Sequence, residues 1–433
     1  MSVRRTSAVA LFISLAVMPS ALAGAGPGTL DTTFGGDGKV TTEFGPSFDG
    51  ATAVAIQADG KIVAVGGAGG SAGRFALARY DTDGTLDATF GGDGKVRTDF
   101  TNRSDVAQGV AIQADGKIVA AGDITRFTPN GVVGRFALAR YDTNGTLDPT
   151  FGGDGRVTTS FTDGEDGASA VAIQADGKIV AAGSANGSCF CSRFALARYD
   201  DDGTLDATFG GDGKVTTRFA HGSQATAVAI QADGKIVAVG GQVPEVSRFE
   251  VARYGTDGTL DPSFSGDGKL TTNMGLGEES ATGVAIQANG RIVVAGYTDV
   301  PHEFGDTFGP GKFALARYRA DGTLHDAFGG DGKVTTRFGH TTAAAEGVAI
   351  QADGKIVAVG HTGGDGGRFA LVRYDLDGSL DATFGGDGRV TTNFTAGEDF
   401  AFGVAVQADG RIVAAGRAGG SGGRFALARY VGG

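Results

Sequence analysis

Five carboxylates occupy one position of a repeated motif, and side chains of this type could bind a metal ion. The motif is first seen as AVAIQADGKIVAVGG at Ala53–Gly67 and occurs seven times. Each copy contains a Gln that is directly preceded by Ile or Val, as Gln57 is by Ile56. The residues seven positions before this Ile or Val are, in chain order, Asp49, Asp105, Asp166, Ser223, Glu279, Ala343 and Asp399. An all-oxygen set of ligands suits Ca²⁺. The alternative is that each carboxylate accepts hydrogen bonds from the backbone of its own turn.

A second group of carboxylates follows the motif RFALARY. Residues Arg79–Asp87 read R-Y-D-T-D-G-T-L-D, which resembles calcium loops of the pattern DxDxDGxxD, but Arg79 replaces the first acid. Arginine stands at this position in all seven copies. A guanidinium among carboxylates supplies the charge that calcium would bring, so we predict a structural Arg–Asp pair. In the sixth copy of the motif LDxTFGGDG, His325 replaces the Asp, and that pair should be weaker.

The sequence offers no recognisable catalytic group. The apolar runs that precede each Gln contain Ala, Gly, Val and Ile and no His, Glu or Asp. We expect the histidines to lie outside strands, and no two have the spacing of zinc ligands: His221, His302, His325, His340 and His361. The glutamine is the same in every copy, which favours a structural hydrogen bond over catalysis. We therefore expect no enzymatic activity and no cofactor apart from Ca²⁺ at the five carboxylates.

Cys189 and Cys191 are the two cysteines of the chain. A disulfide between residues i and i+2 is strained, and no further Cys or His lies nearby in sequence to complete a metal site. We interpret both as incidental loop residues, and their oxidation state stays open.

The overall charge limits the classes of partner. The net charge is −12, and no basic stripe interleaved with aromatic residues is present, so nucleic acid and anionic membranes should repel the protein. Apolar residues make up 41% of the chain, which is enough for a packed core.

The first 23 residues have the pattern of a secretory signal. Arg4 and Arg5 precede the short apolar run Ala8–Met18, and Ala21-Leu22-Ala23 fits the small-x-small cleavage rule. The run is too short to span a bilayer. We expect a secreted or periplasmic protein with a signal peptide at 1–23, a single domain at 24–433 and no membrane insertion.

The repeated motifs must be positioned by short β-strands. AVAIQADGKIVAVGG predicts a β-hairpin because Asp59-Gly60 separates two β-prone runs. In the first unit we predict strands at Lys39–Phe44, Ala53–Gln57, Lys61–Val65 and Arg74–Tyr80. Seven units of four strands without helices are typical of an all-β, seven-bladed β-propeller with four antiparallel strands per blade.

The unit FGGDGKVTTxF…AVAIQADGKIVAVG…RFALARYDTDGTLD resembles the delta-60 repeat, a bacterial family associated with β-propellers, and AVAIQADGKIVAVG is also similar to the strand pair of NHL-type propellers. The first resemblance implies the fold and no established activity. The second implies that Ala53–Gln57 is the innermost strand and a KVTT run the outermost. The chain opens with an outer-type strand and closes on RFALARY, so Lys39–Phe44 should pair with Arg424–Tyr430 and close the ring.

Two connections of each unit vary freely in length, and in a four-stranded blade both emerge on one face. We call it the variable face and the opposite one the constant face. Variable loops on a rigid scaffold commonly bind partners, so we expect a monomeric binding module for a protein or glycan. Its longest loops, Gly122–Gly134 and Gly296–Gly311, offer Asp123, Arg126, Phe127, His302, Phe304, Asp306 and Phe308. The alternatives are side chains that only pack on neighbouring loops, a propeller-type hydrolase or lyase, and a structural protein of the cell envelope.

Overall fold

Twenty-eight β-strands build the part of the chain that the structure describes. The computed structural model describes residues 25–433 except 70–72, 102–103, 129–130, 187–191, 221, 242–247, 276, 299–310 and 364–365, and leaves out the side chains of 126–132 and 421. The predicted signal peptide and both cysteines lie outside the described residues. Besides the strands, the described residues hold one 3₁₀ turn, Gly420–Gly422, and no helix long and apolar enough to cross a membrane.

The strands form seven four-stranded antiparallel blades around a central axis. The inner strands are β2 Asp49–Ile56, β6 Asp105–Ile112, β10 Glu165–Ile173, β14 Gln224–Ile230, β18 Glu279–Ile286, β22 Ala343–Ile350 and β26 Asp399–Val406. The second strands are β3 Ile62–Ala68, β7 Ile118–Thr128, β11 Ile179–Asn186, β15 Ile236–Gly241, β19 Ile292–Thr298, β23 Ile356–Thr362 and β27 Ile412–Ala418.

The third strands are β4 Arg74–Tyr80, β8 Gly131–Tyr141, β12 Arg193–Tyr199, β16 Phe249–Tyr254, β20 Lys312–Tyr318, β24 Arg368–Tyr374 and β28 Arg424–Tyr430. The outer strands are β1 Lys39–Thr42, β5 Lys95–Thr98, β9 Arg156–Thr159, β13 Lys214–Thr217, β17 Lys269–Thr272, β21 Lys333–Thr336 and β25 Arg389–Thr392. Blades are numbered by their inner strands, from β2 in the first blade to β26 in the seventh. The predicted fold class and order of strands are confirmed.

The N-terminal strand closes the ring, as predicted. The seventh sheet has the order β1-β28-β27-β26, with Val40 opposite Leu427 and Thr42 opposite Phe425. Two segments nearly 400 residues apart in sequence thus share one blade, and β28 has a partner on both of its edges.

The hydrophobic core lies between blades. In β3, Ile62 and Ala64 pack toward the seventh blade, while Val63 and Val65 pack toward the second. Successive side chains of a strand point to opposite sides, so a strand buried on both faces must be apolar at every position. All seven interfaces contain such a cluster. Each also has a buried hydrogen bond from a third-strand Tyr to an outer-strand Thr of the preceding blade, as from Tyr80 to Thr42 at 2.8 Å.

Six of the seven blades also carry the predicted pair between the Arg of the third strand and an Asp, and in the fifth blade Arg317 meets His325 instead. In six blades Arg Nε donates to the Asp at 2.7–2.8 Å; the pairs are Arg79–Asp87, Arg140–Asp148, Arg198–Asp206, Arg253–Asp261, Arg373–Asp381 and Arg429–Asp31. The same guanidinium donates to a backbone carbonyl in the turn of the next blade, as from Arg140 to Asp201 at 2.5 Å. It also stacks on a Phe ring, with Arg79 4.7 Å from the centroid of Phe90.

The glutamines bridge blades as predicted. In six blades Gln Nε2 donates to the carbonyl of the turn Gly in the next blade at 3.2–3.4 Å, as from Gln57 to Gly116. Gln113 instead donates to Asp201 Oδ1 at 3.3 Å.

Several strand boundaries differ from the prediction: β1 ends at Thr42 rather than Phe44, and β3 runs from Ile62 to Ala68 rather than from Lys61 to Val65. The first inner strand starts at Asp49 rather than Ala53, and a bulge at Thr52 interrupts its register. The predicted loop Gly122–Gly134 is mostly strand: β7 and β8 continue pairing to Thr128 and Gly131. β7 and β8 therefore extend as a paired ladder on the variable face and are longer than the corresponding strands of the other blades.

Truncating the chain before Gly45 should prevent a stable monomer. It removes β1, Asp31 and the buried Phe34 and Phe44, so β28 would become an open edge and Arg429 a buried cation without its carboxylate. We expect aggregation in size-exclusion chromatography and a lower midpoint of thermal unfolding. A chain that begins at residue 25 is the control, and equal behaviour of the two chains would contradict the closure.

Candidate functional site

The blades surround a central channel whose wall comes from the inner strands. Its cavity has a volume of about 580 Å³ and is lined by three successive residues of each inner strand, as with Thr52, Ala53 and Val54. The second and third of these are small or apolar in every blade. The first differs from blade to blade and reads, in order, Thr52, Gln108, Ser169, Thr226, Thr282, Glu346 and Phe402.

The variable wall residue is the bulged residue of its strand. In the first blade Ala51 is opposite Gly66 and Ala53 opposite Val65, so Thr52 is an extra residue in the ladder. The same shift recurs at the equivalent position of each inner strand. In three blades it is a Thr whose hydroxyl donates to the inner strand of the next blade, as from Thr52 to the carbonyl of Ala107 at 2.7 Å. Gln108, Ser169, Glu346 and Phe402 replace this contact and leave the position open to other chemistry.

A second variable position lies in the second strand of each blade. It follows a glycine of the second strand, exemplified by Gly66, where a Cβ would collide with the carbonyl of Gly50. The residues after these glycines are Gly67, Asp123, Ser184, Gly241, Tyr297, His361 and Arg417. In the second, sixth and seventh blades this residue contacts or lies near the bulged residue of its own blade, and we call the two a wall pair.

The wall pair of the sixth blade combines an acid and a base. Glu346 Oε1 lies 3.7 Å from His361 Nδ1, with the two side chains 23% and 19% exposed. Burial raises the pKa of Glu346 to about 7. Burial, aided by the charge of Arg417, lowers the pKa of His361 to about 4, so the imidazole is neutral at pH 7. The edge of His361 also meets Phe400 of the seventh blade at a centroid distance of 4.5 Å.

The wall pair of the seventh blade places a cation among aromatic rings. Arg417 Cζ lies 4.6 Å from the centroid of Phe400, 5.4 Å from that of Phe48 and 6.0 Å from that of Phe402. Its buried Nε has no hydrogen-bond acceptor, and among the described residues no carboxylate forms an ion pair with it. Phe48, on the connection that enters the first blade, is 37% exposed. The group therefore extends from the channel to the variable face.

The second blade has a polar wall pair of its own. Gln108 Nε2 donates to Asp123 Oδ1 at 3.3 Å, and burial raises the pKa of Asp123. Asp123 is thus positioned beside the channel rather than on an exposed loop. The carboxylate of Asp123 thus already has a hydrogen-bonding partner, in contrast to the carboxylate of Glu346 and the Nε of Arg417.

Two expectations from the sequence are wrong at this site. The inner strands do contain an acid at the channel, because β22 includes Glu346, and His361 lies within β23 rather than outside the strands. The predicted strand began one residue after the bulge and so missed its variable position. When the seven units are aligned, the bulged residue is always four positions before the final Ile or Val of the inner strand. Comparing this position across the units would have found Glu346.

The five predicted calcium ligands are each used in a turn at the start of an inner strand. Asp105 Oδ2 accepts from the backbone N–H groups of Phe100 and Thr101 at 2.8 and 2.9 Å, and Asp49, Asp166, Glu279 and Asp399 cap the equivalent turns. They precede the residues that line the channel by about three positions. Across the described residues, no three His, Cys, Asp or Glu side chains converge as a metal site. Calcium binding by these carboxylates stays a prediction.

Most of the predicted partner residues cannot be located. His302, Phe304, Asp306 and Phe308 lie outside the described residues, as do the side chains of Arg126 and Phe127. The backbones of Arg126 and Phe127 belong to β7, opposite Val133 and Val132.

The ring of blades and the pairing of β1 with β28 define a seven-bladed β-propeller. The chain belongs to the family described as "Domain of unknown function (DUF5122) beta-propeller", whose model matches 57–90, 113–151, 174–209, 231–264, 287–328, 351–384 and 407–430. No curated protein matches the chain in sequence.

Solved structures with the same fold are distant in sequence. The polysaccharide lyase Uly1 is 13% identical, with 88% of this chain and 90% of that chain covered and a TM-score of 0.51. The periplasmic gluconolactonase PpgL of Pseudomonas aeruginosa is also 13% identical, with coverages of 86% and 99% and a TM-score of 0.47. At such identities the first likeness shows the fold alone.

Replacing Glu346 with Gln should stabilise the protein more at pH 8 than at pH 5. The pKa of Glu346 is about 7 in the folded protein, and its ordinary value is 4.5. The contribution of Glu346 to the free energy of unfolding is therefore fully present below pH 4.5 and is lost as the pH rises through 7. At roughly 1.4 kcal/mol per pKa unit, the difference between the two pH values should be roughly 1–3 kcal/mol. Denaturant unfolding at both pH values measures it. The exposed Glu398→Gln is the control, and equal shifts for both variants would contradict a buried Glu346.

Proposed function

We propose that the protein is an exported β-propeller that binds a ligand where its channel meets the variable face. One observation carries this proposal: Glu346, His361 and Arg417 lie together at a wall whose second and third residues are small or apolar in every blade. In the other blades the equivalent positions hold residues such as Thr52 and Gly67, so fold stability does not require an acid, a base and a cation here. Convergent polar groups in an apolar cavity of this size are typical of small-molecule sites.

The site favours a ligand with an anionic group and hydroxyl groups. Arg417 is a permanent cation whose approach is fixed by Phe400 and Phe48 and which lacks a carboxylate partner among the described residues. A guanidinium in this state pairs well with a carboxylate or sulfate. Glu346 near its pKa can donate or accept a hydrogen bond, and neutral His361 can do the same. A sugar acid, free or within a glycan, has both kinds of group.

The wider variable face would supply further contacts. The hairpin of β7 and β8 with Arg126 and Phe127, and the connection carrying His302, Phe304, Asp306 and Phe308, remain the proposed partner-binding surface for a larger glycan or protein. The predicted signal peptide would deliver a monomeric protein to the periplasm or the medium. The resemblance to the delta-60 repeat agrees with this proposal because it implies no established activity.

A hydrolase or lyase is a second candidate, favoured by the wall pair of the sixth blade. A carboxyl group with a pKa of about 7 beside a neutral imidazole suits proton transfer near neutral pH. Under this alternative Glu346 would be the general acid and His361 the base. A structural role in the cell envelope has no comparable support among the contacts of the channel.

A glycan array that includes acidic oligosaccharides, followed by calorimetry on each hit, tests the proposal. Arg417→Gln should weaken binding at least tenfold because the ligand's anion loses the cation that the described residues place at the wall, and Glu346→Gln should weaken it less. Thr226→Ser on the far wall is the matched control and should bind as the wild type does. Equal affinity of Arg417→Gln and wild type would overturn the site. Product formation that Glu346→Gln abolishes without loss of binding would support the enzyme instead.

A further inference from the structure

The Arg–Asp contact on the constant face of each blade normally includes a second cation. In six blades the Asp that pairs with the buried Arg also lies 2.7–3.2 Å from a Lys Nζ or an Arg Nε, as with Lys61 and Asp87 at 3.0 Å. A Thr or Ser accepts from Nη2 of the buried Arg in the same blades, as Thr89 does from Arg79 at 3.1 Å. One carboxylate thus pairs with two cations.

The fifth blade lacks this carboxylate. His325 replaces the Asp, and Ala327 replaces the Thr. In the turn that follows the third strand, Arg319 replaces the first acid. In the turn between the inner and second strands, Asn289 replaces the acid and Arg291 replaces the Lys. The site therefore exchanges three acidic positions for a His, an Arg and an amide. Asp326, one position after His325, is exposed and pairs with Arg319.

The buried guanidinium of the fifth blade is left short of acceptors. Arg317 Nη1 donates to the carbonyl of Leu376 at 2.6 Å and Nη2 lies 3.1 Å from His325 Nδ1, but the buried Nε has no partner. Burial and the nearby charge of Arg291 lower the pKa of Arg317 to about 10, so it stays charged at pH 7. The negative charge of Asp377, in the next blade, raises the pKa of Arg317. The Asp377 carboxylate, however, already accepts a hydrogen bond from Ser379.

Arg291 is the side chain that a ligand would meet first. In the other blades the equivalent cation pairs with the buried Asp, whereas no carboxylate of the described residues pairs with the half-buried Arg291. It lies close enough to lower the pKa of both Arg317 and His325. The adjacent turn carries Leu376, whose carbonyl accepts from Arg317 Nη1 and whose large apolar side chain is 56% exposed.

We propose that the fifth blade binds a carboxylate from outside the protein, beside His325, which fills the place where the other six blades hold their own Asp. Arg291 and Arg317 would bind the carboxylate, and Leu376 would contact an apolar group attached to it. The chemical class is a carboxylate on a short aliphatic chain, either free or as an acidic end of a partner. The site is on the constant face and does not depend on the channel site proposed above.

Calorimetric titration with sodium butyrate at constant ionic strength tests this site. Because Arg417 could also hold a carboxylate, the titration uses the full mature chain carrying Arg417→Gln. We expect saturable binding with one butyrate per chain, weaker for acetate and absent for butanol. The double variant His325→Asp with Ala327→Thr restores the intramolecular partners, so it should unfold at a higher temperature and bind butyrate at least tenfold more weakly.

A second variant keeps the test independent of how well the restored pair folds. Arg291→Gln removes the accessible cation and should also weaken butyrate binding at least tenfold, whereas Lys355→Gln in the sixth blade should leave it unchanged. Partner peptides with acidic C-termini, titrated in the same way, distinguish a free carboxylate from a macromolecular one. The proposal is overturned if butyrate does not bind, or if binding survives both Arg291→Gln and the double variant.

Discussion

A buried guanidinium at every blade interface is the interaction on which the ring depends. The seven arginines are at most 5% exposed, and each connects the third strand of its blade to a turn of the next. A charge at this depth is costly unless it is paired, and removing one partner of a buried pair typically costs about 3–5 kcal/mol. In the seventh blade, Arg429 of the last strand pairs with the carboxylate of Asp31 near the start of the chain. Ring closure thus joins the two ends by a strand ladder and by a buried ion pair.

Repetition of these contacts allows single blades to depart from them. Because each blade touches only its two neighbours, stability is spread over many equivalent interfaces. The fifth blade keeps its place in the ring although His325 replaces the carboxylate, since Tyr318, its partner Thr272 and the interblade cluster are unchanged. At the channel, three bulged threonines bind the next blade, while Glu346 and Phe402 make no such bond. Departures from the repeat are therefore where binding can be placed without endangering the fold.

The sequence was sufficient for the architecture because the period of the repeat specifies it. Motifs that are present seven times were enough to predict the order of the strands from the inside to the outside of a blade. They also predicted the closure through Lys39–Thr42 and the Arg–Asp pairs. The channel wall did not follow, because the bulge at Thr52 and its equivalents changes which side chain faces the axis, and a regular alternation cannot show that. His361 and Arg417 were likewise hidden, since their glycine neighbours resembled the start of a loop. The pairing of β7 with β8 extends into a predicted loop because the backbone ladder continues there to Thr128 and Gly131.

The central claim is that the repeat supplies stability and its departures supply binding. The most direct measurement gives the unusual wall the residues of other blades, in one chain carrying Glu346→Thr, His361→Ser and Arg417→Ser. Its free energy of unfolding at pH 7 should stay within about 1 kcal/mol of wild type or rise, because the change removes a buried acid and an unpaired cation. Loss of several kcal/mol would mean that these side chains hold the sixth and seventh blades together, and would contradict the account.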